Sequence, residues 1–178
     1  MDKTYCIFGD SVAQAAYVNA GWVELLRRYL ENKYFDSFVN VFNLGIGGNT
    51  TDDVLKRFEG EASVRNPDSI IFAIGINDTK DYNPELFVVN LIKLVDTASR
   101  FTKDINFVGL VLGDWRGDEP FSCDSTAEYN KLIEKITQQK GGRFISLQEK
   151  LLAEDFADGL HPNKQGHKKM FEVIREYF

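Results

Sequence analysis

Ser69-Ile70-Ile71-Phe72-Ala73-Ile74 is apolar at every position but the first. A strand with one face in water alternates polar and apolar residues. A run without alternation reads as a parallel strand covered by helices on both faces. Asn66-Pro67-Asp68 supplies the turn before it, and Gly75-Ile76-Asn77-Asp78 ends it. Working outward, Asn83-Pro84 gives the next helix a cap and a proline in its first turn. Phe87, Leu91, Leu94, Val95 and Ala98 carry that helix's apolar stripe. On the other side, Thr50 or Thr51 can cap a helix whose Val54, Leu55 and Phe58 face inward.

The same alternation extends to both ends of the chain. Residues 3–8, 38–42, 105–112 and 143–147 read as four more strands. Trp22, Leu25, Leu26, Tyr29 and Leu30 form a helical stripe after the first strand, with Arg27, Arg28 and Glu31 opposite. Ser125-Thr126-Ala127-Glu128 has capping-box spacing ahead of Tyr129, Leu132, Ile133 and Ile136, and Gly141-Gly142 stops that helix. Leu151 and Leu152 suggest a brief helical turn, and Met170, Phe171 and Ile174 mark the last helix. Strand and helix alternating five times predict an α/β fold, a three-layer α/β/α sandwich. Its five-stranded, mostly parallel sheet takes the flavodoxin-like order 2-1-3-4-5 in one domain over residues 1–178.

Composition removes several classes of function. The net charge of −6 disfavours nucleic acid and anionic membrane surfaces as partners. Two cysteines, Cys6 in the first strand and Cys123 in a polar loop, cannot build a disulfide framework. With only two histidines there is no zinc spacing, so no metal or other cofactor is expected. The chain reads as entering a strand by Lys3, so no signal peptide is expected. No segment approaches the roughly 20 apolar residues of a membrane span, so a cytoplasmic location is expected. Oligomeric state is open.

The unusual segments all follow strand ends, where open α/β sheets place their chemistry. Gly9-Asp10-Ser11 breaks the first strand and ends in a hydroxyl. A hydroxyl needs a base, the base needs an orienting acceptor, and the oxyanion needs preset donors. His167 lies on the stripe of the last helix and reads as a packed or rim histidine. His161 lies in a loop three residues after Asp158, so one tight turn can hold carboxylate against imidazole. By itself Asp158-x-x-His161-Pro162 reads equally as a turn into a helix. Gly45-x-Gly47-Gly48 lacks the third glycine of a dinucleotide fingerprint, and no Walker lysine follows, so an oxyanion role for the Gly48 N–H fits better than a phosphate cradle. Asn77 can donate its amide to the same oxyanion, or can be a turn residue capping local backbone.

Together, Gly9-Asp10-Ser11, Gly48 within residues 43–50, Gly75-Ile76-Asn77-Asp78 and Asp158-x-x-His161-Pro162 resemble the four blocks of the SGNH hydrolases, the GDSL-type esterases and lipases. The blocks fall in family order across residues 7–162. The resemblance implies a Ser11 nucleophile, a His161 base and an Asp158 partner. It implies an oxyanion hole from the Ser11 N–H, the Gly48 N–H and the Asn77 amide, and a small-molecule ester as substrate. Asp10, Asn49 and Asp78 beside these positions are candidate substrate contacts. Val12 stands where the motif has leucine, and Gln14, Ala15 and Ala16 occupy a region where a glycine is common. The elbow Gly-x-Ser-x-Gly of the α/β-hydrolases is absent.

Trp115 and Arg116, in the loop after the fourth strand, can stack a sugar or grip an anionic headgroup, or can be a packed tryptophan beside a solvated arginine. A carbohydrate O-acetylesterase or a thioesterase on the same machinery is therefore an alternative to an esterase for small or short-chain esters. No apolar insertion offers a lid for long acyl chains. A flavodoxin-like binding module is the rival of another class, but Asp10-Ser11-Val12-Ala13 offers a phosphate little glycine.

Overall fold

The computed structural model describes residues 2–113 and 123–178, and the backbone alone of Cys123. Five parallel strands stand in the order β2-β1-β3-β4-β5. They are β1 (Lys3–Gly9), β2 (Val39–Gly45), β3 (Ser69–Ala73), β4 (Asp104–Val108) and β5 (Arg143–Ile145). The helices are α1 (Ser11–Gln14), α2 (Trp22–Lys33), α3 (Thr51–Ser63), α4 (Pro84–Ala98), α5 (Cys123–Gln139) and α6 (Lys164–Ile174).

β3 is buried at all five positions, and its side chains divide between two cores. Ile70 and Phe72 join Phe8, Phe58, Phe87 and Tyr129 beneath α3, α4 and α5. Ile71 and Ala73 join Trp22, Leu26, Leu30, Met170 and Ile174 beneath α2 and α6. The alternation that puts successive side chains on opposite faces thus explains the unbroken apolar run. At the edge, β2 is only half-buried and keeps Phe42 partly exposed.

Several boundaries differ from the sequence reading. β2 continues through Asn43-Leu44-Gly45, because pairing with β1 persists to Gly9↔Gly45 whatever the side chains. β4 stops at Val108, short of residue 112; Leu110 and Val111 are buried, but β5 ends at Ile145 and offers no further ladder. Cys123 opens α5 instead of lying in a loop, so Ser125 and Glu128 sit inside the helix. The turn expected at Leu151 and Leu152 is a 3-10 turn over Ala153–Asp155. Trp115 and Arg116 lie outside the described residues.

The sheet order changes direction beside β1 and β3, and the carboxyl ends of those two strands form the crevice where such sheets bind ligands. Ser11 follows β1 and Asn77 follows β3. Gly9 is required by contact: a Cβ there would stand 2.6 Å from both Ala13 Cβ and the Ala73 carbonyl oxygen. That close approach lets the first loop fold back over the end of β3.

Candidate active site

Ser11 is the first residue of α1, a single turn that apolar periodicity does not reveal. Asp10 makes it: its Oδ1 accepts from the Val12 N–H at 2.9 Å. The hydroxyl of Ser11 lies 2.8 Å from His161 Nε2, across 150 residues of chain.

The loop that delivers His161 is closed on itself. Phe156 and Pro162 form an antiparallel bridge, and the Ala157 N–H donates to the His161 carbonyl at 2.8 Å. Asp155, fully buried, anchors its base: the carboxylate accepts from Lys169 Nζ and the Leu152 N–H, while its carbonyl accepts from the Asn163 N–H. At the tip, Asp158 Oδ1 accepts from the Leu160 and His161 N–H groups at 3.0 and 2.7 Å. Asp158 Oδ2 lies 2.7 Å from His161 Nδ1. The neutral tautomer that satisfies both ring contacts carries its proton on Nδ1, leaving the Nε2 lone pair toward Ser11. Burial raises the Asp158 pKa, but the bonds from the His161 N–H, its imidazole and the Leu160 N–H outweigh this and hold it below the ordinary carboxylate value.

The opposite wall is built by the loops after β2 and β3. Gly48 has φ +80°, and a Cβ there would meet nothing within 4 Å, so glycine is required by backbone conformation and not by crowding. The Asn77 amide donates to the Asn49 carbonyl at 3.0 Å through one N–H and has a second to offer. Asp78 accepts from the Thr51 N–H and hydroxyl, fixing the start of α3. Asn49 accepts from Arg57 Nε at 3.0 Å through its side chain. Asp10, Asn49 and Asp78, expected as substrate contacts, are thus each engaged with the protein itself.

Burial raises two of these carboxylates. Asp10, 2% exposed, borders a small apolar cavity of about 20 Å³ beside Val12, Ile76, Val108, Leu110 and Met170. Burial pushes its pKa up to about 7 against the Val12 N–H, and the Asp78 charge adds to the rise. Asp78 is raised by burial against its bonds from Thr51. His167 is packed as its place on the α6 stripe predicted. Its Nδ1 accepts from the Trp22 N–H at 3.3 Å, and burial, then the His161 charge, lowers its pKa to about 4.

Three further residues bear on the site. Gln14 accepts from the Gly47 N–H at 2.9 Å and steadies the β2–α3 loop. Arg57 donates to the Leu44 carbonyl at 2.7 Å as well as to Asn49; the Glu61 four residues on makes it read as a solvent-facing pair, yet its side chain is 17% exposed. Tyr17 stacks edge-on against His161 with ring centroids 5.2 Å apart. Nothing in the periodicity signals that contact.

The chain resembles known proteins along nearly its whole length. It is 26% identical to platelet-activating factor acetylhydrolase IB subunit alpha2 of Homo sapiens and of Bos taurus over 180 aligned positions, 94% of this chain and 76% of theirs. Its fold matches Axe2, an acetylxylan esterase from Geobacillus stearothermophilus, with a TM-score of 0.84 at 20% identity, covering 98% of this chain and 93% of that one. It also matches LAE5, an alpha/beta hydrolase enzyme from the metagenome of Lake Arreo, with a TM-score of 0.83 at 21% identity over 97% and 93% of the two chains. Residues 7–169 match the GDSL-like lipase/acylhydrolase family. The chain belongs to that family and is an ester hydrolase.

Proposed function

We propose that this hydrolase is a serine esterase that cleaves small or short-chain carboxylic esters through an acyl-Ser11 intermediate. The observation that carries the reading is the aligned relay of Ser11 Oγ, His161 and Asp158, with contacts of 2.8 and 2.7 Å. His161 Nε2 takes the Ser11 proton as Oγ bonds to the ester carbonyl carbon. The oxyanion is received by the N–H groups of Ser11 and Gly48 and the second N–H of Asn77. As the tetrahedral species collapses, the carbon–oxygen bond to the alcohol breaks and the imidazolium returns its proton to that oxygen. Water, deprotonated by the same imidazole, then releases the acid and restores Ser11. In this reading Asp10, Asn49 and Asp78 position the loops instead of touching substrate, and residues 1–178 act as one catalytic domain in the cytoplasm. The free, buried Cys6 is in keeping with that compartment.

The test is hydrolysis of p-nitrophenyl acetate with covalent labelling by an organophosphonate. Ser11→Ala should abolish the labelling and reduce turnover to background; a labelled or active Ser11→Ala protein would refute the assignment. Removal of acetyl groups from carbohydrate is the second reading. It is favoured by the fold match to an acetylxylan esterase, several of whose solved variants are catalytic mutants at a serine, a histidine and an aspartate. Comparing acetylated xylosides with alkyl acetates separates the two.

A further inference from the structure

The loop between α1 and α2 carries two of the four non-glycine residues with positive φ among the described residues, and it lies against the proposed base. Ala15 has φ 70° and Tyr17 has φ 67°. Left-handed backbone disfavours any residue with a Cβ, a bulky aromatic most of all, and persists where the surroundings impose it. Here the Ala15 N–H donates to the Val12 carbonyl, the Ala16 N–H to the Ser11 carbonyl and the Val18 N–H to the Ala15 carbonyl. The loop is thereby tied to the same turn that carries Ser11. Its product is an aromatic ring that is 72% exposed yet stands beside the His161 imidazole at 5.2 Å and 61°.

That position has a chemical meaning. In acyl transfer the imidazolium hands its proton to the departing oxygen, so a group beside His161 is beside the alcohol and not the acyl chain. The acyl carbonyl oxygen points the other way, to Gly48 and Asn77. We infer that Tyr17 is a specificity-determining residue for the leaving group: its exposed ring stacks on alcohols that present a ring face, aryl or pyranose, and selects their esters over alkyl esters. This rests on the proposed roles of Ser11 and His161.

Phenyl acetate, an acetylated methyl glycoside and ethyl acetate all leave the same acetyl-enzyme, so they differ only up to loss of the alcohol. Their kcat/KM values report that stage, and burst kinetics isolate the deacylation that follows. Tyr17→Ala should lower kcat/KM for the ring-bearing esters about tenfold more than for ethyl acetate, the scale of one lost stacking contact. Tyr17→Phe should keep the preference, and deacylation should change less than about twofold in either variant, since the alcohol has left. A response confined to one ring-bearing ester supports the proposal for that class of alcohol. Equal loss on all three esters, or slowed deacylation, would show that the ring only steers His161, which serves both stages. An unchanged Tyr17→Ala protein would make the ring a bystander. Turnover of ethyl acetate by Ser11→Ala would bring down the underlying reading and not this one alone.

Discussion

Asp158 and Asp10 lie on the last and first loops of one site, in opposite settings. Asp158 is partly exposed, accepts from two backbone N–H groups and the imidazole, and is held below the usual carboxylate range. Asp10 is buried beside an apolar cavity, accepts from the Val12 N–H, and is pushed up to about 7. Asp78, next to Asn77, is raised by burial in the same direction as Asp10. The difference matches what each loop would meet in the proposed mechanism. There an imidazolium develops beside Asp158, where fixed negative charge helps, and an oxyanion develops between Ser11, Gly48 and Asn77, where negative charge would oppose it. Donor count and burial shift a carboxylate's pKa, and the fold applies them in opposite senses on the two loops, down at Asp158 and up at Asp10.

The sharpest way to break this comparison is Asp158→Asn. The amide keeps the shape but loses the charge and favours the wrong imidazole tautomer, so kcat should fall about 10³–10⁴-fold in steady-state assays. A loss under tenfold would mean that the solvated carboxylate matters no more than the buried ones. On the other wall, Asn77→Ala removes one proposed oxyanion donor and should lower kcat about 10²–10³-fold, or ~3–4 kcal/mol. Its bond to the Asn49 carbonyl contributes only about 1 kcal/mol to stability. Melting followed beside turnover tells the two roles apart, because a turn former would lose stability and activity together.

The same contrast explains what the sequence could disclose. β3 was legible because both-face burial leaves an apolar run; the parallel sheet followed from the alternation of elements, and 2-1-3-4-5 is the simplest order for it. Ser11, Gly48, Asn77, Asp158 and His161 were legible as motif positions, each just past a strand or ahead of a helix. The α1 turn was not, since four residues held by the Asp10 cap have no period to detect. The end of β4 was missed because apolar residues continue beyond the last paired position: burial and pairing are different constraints that coincide in β3 and part there. Neither did sequence separate Asp10 from Asp158 in charge, because desolvation depends on Val108, Leu110 and Met170, which are distant in the chain. Tyr17 on His161 is likewise a contact across 144 positions, with no local trace.

The smallest expected effect tests the buried half of the comparison by itself. A carboxyl raised from 3.8 to about 7 on folding binds more protons folded than unfolded between those values. Its unfavourable contribution is therefore absent below about pH 4 and grows as pH rises toward 7, so stability falls with pH through that window. Asp10→Asn keeps an oxygen for the Val12 N–H but cannot ionise. The unfolding free energy of Asp10→Asn should gain on the parent's by on the order of 2 kcal/mol between pH 5 and pH 8, measured by denaturant titration. His167 works in the opposite sense: lowered from 6.5 to about 4, its contribution is lost as pH falls through that range. It is present in both proteins and cancels in their difference. A gap that stays constant with pH would mean that Asp10 folds fully ionised. Burial would then not raise the carboxyl beside Ser11, and the contrast between the first and last loops would fail.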